Sequence, residues 1–145
     1  MAAMLAASAA AAAAPPQRPL SRVVALATSV NRPKRPTVVL VHGLDSSKQT
    51  FERTLSALTA KGIPAVALDL RGSGESPLGD PADFSAEALA SDVHGAVARL
   101  GLLDGGGKIV LVGHSMGGRV AMAFGALHYS DVAGPCRCYY YCYNF

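Results

Sequence analysis

The fold of this chain is decided by one stretch of its sequence, Gly113-His114-Ser115-Met116-Gly117-Gly118. An apolar run, 108–112, leads into the stretch, and a helix-forming run, 119–128, leads out of it. A Gly-x-Ser-x-Gly pattern between a strand and a helix predicts a sharp turn with the serine at its apex. The flanking glycines are needed because a Cβ two residues before or after the serine would collide with the neighbouring backbone.

Such a turn has a predictable effect on the groups around Ser115. It pushes the hydroxyl out over the carboxyl edge of the sheet and directs the backbone N–H of Met116 to the space beside it. This N–H also lies at the positive end of the helix that follows. The stretch therefore predicts a serine hydroxyl and a hydrogen-bond donor side by side at the end of a strand.

Strands and helices alternate along the middle of the chain. The β-branched run 37–41 and the run 64–70 predict strands buried on both faces, like the run 108–112. Residues 23–36 predict a short edge strand or a linker, because their prolines exclude a helix. Strands that alternate with helices indicate a parallel sheet of an α/β protein.

Two helices are predicted between these strands. The first covers 49–61 and ends at Gly62. The second covers 85–100, with Ser85 as its N-cap. The predicted buried stripe of the second helix consists of Leu89, Val93, Ala96, Val97 and Leu100.

Three motifs follow the predicted strands, and their order carries a resemblance. They are His42-Gly43, Asp69-x-Arg71-Gly72-x-Gly74-x-Ser76 and the Gly-His-Ser-Met-Gly-Gly stretch. With them the chain resembles the N-terminal half of an α/β-hydrolase over residues 37 to about 134. Residues 42–51, His-Gly-Leu-x-x-Ser-Lys-x-x-Phe, resemble the small AB hydrolase-1 type serine esterases of bacteria and organelles. The resemblance implies a partial α/β-hydrolase fold, a parallel sheet with helices on both faces that is truncated after the nucleophile-elbow helix.

The resemblance also implies roles for particular residues. Ser115 would be the catalytic nucleophile, and the backbone N–H groups of Leu44 and Met116 would form the oxyanion hole. The ring of His42 would brace the loop that carries Leu44. The remaining residues implied to shape this loop and the elbow are Gly43, Gly113, His114, Gly117 and Gly118.

The acid and the base of a catalytic triad are not found where the family places them. In this family an acid and then a histidine follow the serine, on loops after later strands, but only 30 residues follow Ser115. His128 falls more than three turns along the elbow helix, and Asp131 comes too early to be the acid. His94 lies on a predicted surface helix. We therefore expect a truncated chain, inactive or barely active by itself, that lacks both groups.

The composition changes at both ends and predicts three segments, 1–35, 36–134 and 135–145. The first is a leader and linker rich in Ala, Pro and Arg without acidic residues, which predicts a chloroplast transit peptide. A mitochondrial address and an unstructured leader without a targeting role are the alternatives. The second is the half-hydrolase domain. The last holds all three cysteines and four of the five tyrosines, and we interpret it as aberrant out-of-frame or intron-derived translation; a Cys-rich metal or disulfide tail is the alternative.

Charge and motifs argue against several function classes. Five of the 13 basic residues lie in the leader, and the other eight basic and ten acidic residues give a net charge of −2. The net charge of +3 therefore reflects the leader and gives no support for a nucleic-acid-binding surface. The apolar leader is shorter than the roughly 20 residues of a membrane span. No Walker A or dinucleotide fingerprint occurs, and no ligand spacing joins the histidines and cysteines. We expect no cofactor and no metal; the expected partner of the full-length form is a small-molecule ester or thioester, and a protein partner stays unknown.

Three functions stay open. The first is a serine hydrolase that cleaves carboxylic esters or thioesters through an acyl-enzyme on Ser115. The second is a non-catalytic short isoform that acts as an interaction or receptor-like protein. The third is another member of the fold with a different activity, such as a lyase or a hormone-type receptor.

Overall fold

The computed structural model describes residues 25–27 and 35–133, and this part of the chain contains a four-stranded sheet. Its strands are β1 (Ala25–Ala27), β2 (Thr37–Val41), β3 (Ala65–Leu68) and β4 (Ile109–Gly113). They lie in the order β1-β3-β2-β4. β2 pairs in parallel with β3 and β4, whereas β1 pairs antiparallel with β3 at the edge. The predicted α/β sheet is confirmed, with one antiparallel edge strand added.

Three α-helices connect the strands: α1 (Glu52–Ala60), α2 (Ala86–Arg99) and α3 (Met116–Leu127). The predicted helix 49–61 was wrong in its first turn, which is a separate 3-10 helix, Lys48–Phe51. The backbone N–H of Lys48, at the start of this 3-10 helix, donates to a carboxylate oxygen of Asp69 at 2.7 Å and so ties the turn to the residue that follows β3. Beyond α1, Gly62 takes a φ of 64°, which ends the helix.

The sheet is covered on both faces, and each face has its own core. The side chains of Val39 and Val41 pack with α2 and α3, where Phe124 is fully buried. The alternate side chain of β2, Leu40, packs with Leu55 of α1 on the opposite face. Burial of each such side chain stabilises the fold by about 1.5–3 kcal/mol.

The helix α2 agrees with its predicted range to within one residue at each end. Four residues of its predicted stripe are buried, but the prediction for Leu100 was wrong, because its side chain is 42% exposed. Leu100 is the C-cap and still bonds to Ala96 through its backbone N–H, but its side chain lies beyond the part of the helix that the core covers.

The N-cap of α2 gives a first testable prediction. The Ser85 hydroxyl accepts a hydrogen bond from the backbone N–H of Ala88 at 3.2 Å. We expect Ser85→Ala to lower the free energy of unfolding by about 1 kcal/mol, measured by chemical denaturation. The matched control is Ser91→Ala in the same helix, because that hydroxyl bonds only to the carbonyl of Glu87 one turn back. An equal loss in both variants would contradict the capping role.

The chain returns to the edge of β4 after α3. A short 3-10 helix, Tyr129–Asp131, follows α3, and Val132 then forms a parallel bridge with Ile109. The backbone N–H of Ala133 donates to the carbonyl of Ile109 at 2.8 Å. The chain is therefore attached to the edge of β4 by a single parallel bridge at Val132.

Of the predicted leader 1–35 the structure describes only Ala25–Ala27 and Arg35, and the predicted aberrant tail 135–145 lies wholly outside the described residues. Within the described ranges, no helix combines the length and the apolar character that crossing a bilayer requires.

Candidate active site

Ser115 occupies a strained corner between β4 and α3. Its φ of 53° and ψ of −118° are backbone angles that side-chain-bearing residues rarely adopt, and α3 begins at the next residue, Met116. The serine is exposed, although the residues around it are packed. Strain of this kind costs of the order of 1–3 kcal/mol and is concentrated at functional sites.

The glycines of the corner permit a direct contact between backbones. A Cβ at Gly117 would lie under 3.0 Å from the carbonyl oxygens of Val41 and His42, and a Cβ at Gly113 would lie as close to the carbonyl of Gly117. The first turn of α3 therefore rests on the end of β2. This contact brings Ser115 next to the loop that follows β2.

That loop contains the predicted oxyanion residue Leu44. A Cβ on Gly43 would lie 3.1 Å from the Cβ of Ser115, so the loop passes directly beside the serine. Leu44 and Met116, whose N–H groups are the predicted oxyanion donors, both line one open pocket of about 350 Å³. The other residues that line it are Asp45, Ser46, Leu70, Arg71, Gly72, Ser73, Gly74, Phe84 and Leu89.

His42 is fully buried beneath this loop. Its Nε2 accepts a hydrogen bond from the backbone N–H of Leu70 at 3.1 Å, and its Nδ1 lies 2.7 Å from the carbonyl oxygen of Gly43. Both bonds form when the proton is on Nδ1. The ring thus joins the ends of β2 and β3, and both of its nitrogens are occupied.

A buried ion pair fixes the same loop from its other end. The ammonium of Lys48 donates to Asp69 Oδ2 at 2.6 Å and to Glu75 at 3.0 Å, and the carboxylate of Asp69 also accepts the backbone N–H of Glu75. Burial disfavours the charged carboxylate, but the hydrogen bonds from Lys48 and Glu75 outweigh it and hold the pKa of Asp69 below its ordinary value. Burial likewise opposes the ammonium, yet the two carboxylates raise the pKa of Lys48.

A second buried pair ties the opposite wall of the pocket to α2. The guanidinium of Arg71 donates through Nε to Asp92 and through a terminal nitrogen to the carbonyl of Asp83 at 2.9 Å. The hydrogen bond to Asp92 raises the pKa of Arg71 although burial opposes it. Arg71 was expected only as part of a family motif, without a predicted hydrogen-bond partner. The partner lies 21 residues further along the chain, on another element.

Of the other described histidines, two contact each other at the far end of α3 and one lies next to Ser115. His94 bonds to Asp131 at 3.1 Å and stacks on His128. His128 follows the last residue of α3, whose 12 residues extend about 18 Å from the serine corner. His114 precedes Ser115 in the chain, and its Nδ1 is buried without a hydrogen-bond partner.

His94, His128 and Asp131 lie close enough together to be considered as ligands of one metal ion, a grouping that their spacing in the sequence did not suggest. Ring nitrogens of His94 and His128 and a carboxylate oxygen of Asp131 lie within 4.8 Å of one another. The two rings, however, are stacked, with centroids 3.9 Å apart and planes inclined by only 5°. An ion binds in the plane of an imidazole, along the nitrogen lone pair, so one ion cannot lie in both of these parallel planes. In this arrangement the three groups do not form a metal site.

Comparison with known proteins extends these findings. The sequence model of the alpha/beta hydrolase family matches residues 38–142. The sn-1-specific diacylglycerol lipase ABHD11 of Mus musculus is 40% identical over 98 residues, which are 67% of this chain and 30% of the lipase. Protein phosphatase methylesterase 1 of Homo sapiens is 39% identical over 88 residues, 60% of this chain and 22% of the methylesterase.

A solved structure agrees with the fold as well. A thermophilic esterase from Thermogutta terrifontis superposes with a TM-score of 0.66 at 34% identity, over 76% of this chain and 37% of the esterase. The chain therefore spans less than two fifths of the length of each of these relatives. Its strand order, its serine corner and the family match lead to one conclusion: the chain belongs to the alpha/beta hydrolase family.

Proposed function

We propose that this chain carries the nucleophile and the oxyanion hole of a serine hydrolase that cleaves carboxylic esters or thioesters. The observation that carries the proposal is the strained Ser115 corner lying directly beside Gly43, at the start of the loop that contains Leu44. The activities of the relatives support the choice of substrate class, since a lipase, a methylesterase and an esterase all act on ester bonds.

The proposed reaction forms an acyl-enzyme on Ser115 and then hydrolyses it. The hydroxyl oxygen of Ser115 attacks the acyl carbon and loses its proton, and the carbonyl oxygen becomes an oxyanion that the N–H groups of Leu44 and Met116 stabilise. The C–O or C–S bond to the leaving group then breaks, and the alcohol or thiol leaves with a proton. Water hydrolyses the acyl-enzyme in a second step of the same kind. Loss of one oxyanion donor typically costs about 2.7–4 kcal/mol of transition-state stabilisation.

The proton of Ser115 requires a base that an acid orients. Among the described residues, His42 is bonded on both nitrogens, and His94 and His128 stack on each other. We therefore propose that the base and the acid belong to the part of a full-length protein that lies beyond the residues matched here. The chain alone is expected to react slowly, through its oxyanion hole and its exposed serine.

A fluorophosphonate probe tests the role of Ser115. We expect slow covalent labelling of the chain over hours, located on Ser115 by peptide mass spectrometry, because the strained corner exposes its hydroxyl. Ser115→Ala should abolish the labelling. The matched control is Ser73→Ala, which removes a serine hydroxyl from the pocket lined by Leu44 and Met116 and should leave the labelling unchanged. Labelling of Ser115→Ala at the wild-type rate would contradict the proposal.

The positions of the histidines favour one alternative function. If the chain carries no reactive serine, the wild-type protein stays unlabelled even when the probe is in large excess. That result would favour the non-catalytic short isoform, in which the open pocket beside Leu44 and Met116 serves for binding only.

A further inference from the structure

A cluster of three titratable side chains lies at the far end of α3, away from the serine corner. We propose that His94, His128 and Asp131 form a proton-sensitive clasp, which holds residues 129–133 against the edge of β4 at neutral pH and releases them when His128 gains a proton. The clasp does not depend on the hydrolase activity proposed above, and it uses none of the residues of that site.

The clasp joins two helices and the segment that follows them. The rings of His94 on α2 and His128 at the end of α3 stack with centroids 3.9 Å apart, and the ring of Phe124 lies 5.0 Å from that of His128. The Nε2 of His94 lies 3.1 Å from a carboxylate oxygen of Asp131. The backbone N–H of Asp131 in turn donates to the carbonyl of His128 at 3.0 Å.

The segment held in this way is bridged to the edge of β4. Val132 bridges to Ile109, and the N–H of Ala133 donates to the carbonyl of Ile109. The ammonium of Lys108, the residue before β4, also donates a hydrogen bond to the carbonyl of Ser130. Residues 129–133 are therefore held by the bridge to Ile109, by the packing of the Val132 side chain against the core, by Lys108 and by the clasp.

The charges in the cluster balance only when one imidazole is neutral. Among the described residues, the carboxylate of Asp131 faces the two stacked imidazoles, and Lys108, which precedes β4 and donates to the carbonyl of Ser130, is also positive. The Nε2 of His128 is buried and has no hydrogen-bond partner among the described residues. A second proton would place a charge at this nitrogen beside the charged ring of His94, with no group to accept its hydrogen bond.

The pKa of His128 agrees in direction with this charge balance. Burial and the neighbouring His94 lower it from the ordinary value of 6.5, and Asp131 opposes them only in part. A histidine whose pKa is lowered by folding favours the folded state when it is neutral. The clasp is therefore at full strength above pH 6.5, and it weakens as the pH falls from 6.5 toward the lowered pKa.

Amide hydrogen exchange of the full chain, followed by NMR at pH 7.5 and pH 5.0, tests the clasp. After correction for the intrinsic exchange rates, we expect the protection factor of the Ala133 amide to fall at least tenfold at pH 5.0. The amide of Val39 in the centre of the sheet reports global unfolding and should keep its protection. Equal losses at Ala133 and Val39, or no loss at Ala133, would overturn the proposal.

Two further measurements keep the result specific to His128. The variant His128→Phe retains an aromatic ring but cannot be protonated, so its Ala133 protection should be the same at both pH values. An undiminished pH effect in His128→Phe overturns the proposal. If this variant does not fold, the wild-type ring protons of His128 must titrate below pH 6.5, and titration at or above that value overturns it. Zn²⁺ binding that increases Ala133 protection at pH 7.5 would also overturn it, because the stacked rings would then have to separate to share an ion.

Discussion

Replacement of Gly117 by alanine is expected to destabilise the fold by about 3 kcal/mol or more, the upper range for overpacking. In an ordinary helix the same change stabilises by up to about 1 kcal/mol, because alanine is the better helix former. Here the sign reverses, since the new Cβ would lie under 3.0 Å from the backbone carbonyls of Val41 and His42. Neither carbonyl can move without displacing the end of β2.

The measurement is the denaturation midpoint of the purified chain, or its soluble yield if the variant does not fold. The matched control is Gly62→Ala, because Gly62 has a φ of 64° but no atom within 4 Å of the added Cβ. Its expected cost is about 1 kcal/mol, from the backbone angle alone. If Gly117→Ala cost no more than Gly62→Ala, α3 would not rest on β2 as described.

Replacement of Asp69 by asparagine is expected to cost about 3–5 kcal/mol, the usual effect of leaving one charge of a buried pair without its partner. The variant keeps the shape of the side chain but leaves the ammonium of Lys48 without its buried counter-charge, and the two side chains are 0% and 5% exposed. The control is Glu75→Gln, which removes the other carboxylate from the same ammonium. Because that side chain is 66% exposed, its expected cost is below about 1 kcal/mol.

The same pair predicts how stability depends on acid. The pKa of Asp69 is lower in the folded chain than the ordinary value of 3.8, so ionised Asp69 stabilises the folded state above that pH. This contribution is lost as the pH falls below 3.8 toward the folded pKa. Unfolding curves of wild type and Asp69→Asn should therefore converge in acid. A difference in stability that stays constant down to pH 2 would contradict the ionic role of Asp69.

Local patterns were sufficient to predict most of the elements around the serine. The run 37–41 is the observed β2, and the helix predicted over 85–100 is α2. Both were predictable because a strand buried on both faces is a continuous apolar run and a packed helix has apolar residues at helical spacing. The serine corner was predictable for a similar reason, since only glycines fit beside it at 113 and 117. The direction of β1 was not predictable, because three residues do not reveal which neighbour they pair with.

The contacts that support the candidate site could not be predicted in the same way. Lys48 and Asp69 are 21 residues apart and meet only because β2 and β3 are neighbours in the sheet. His94 and Asp131 are 37 residues apart, on elements that meet through the packing of α2 against α3. Spacing arguments compare residues within one element, so side chains brought together from two elements escape them. The one local sign was Lys48, which lies a few residues after the His42-Gly43 motif, but a lysine alone does not identify the residue with which it pairs.

The strand order also sets when the serine corner can form during synthesis. β2 pairs on one side with β3, which follows closely, but its other side waits for β4, and the paired residues Thr37 and Ile109 are 72 positions apart. At a translation rate of about 5–20 residues per second, this edge of β2 stays unpaired for roughly 4–14 s. Contacts between such distant positions also slow folding once the chain is complete. The nascent chain is therefore most exposed to aggregation and to chaperones in the interval before the residues around Ser115 leave the ribosome.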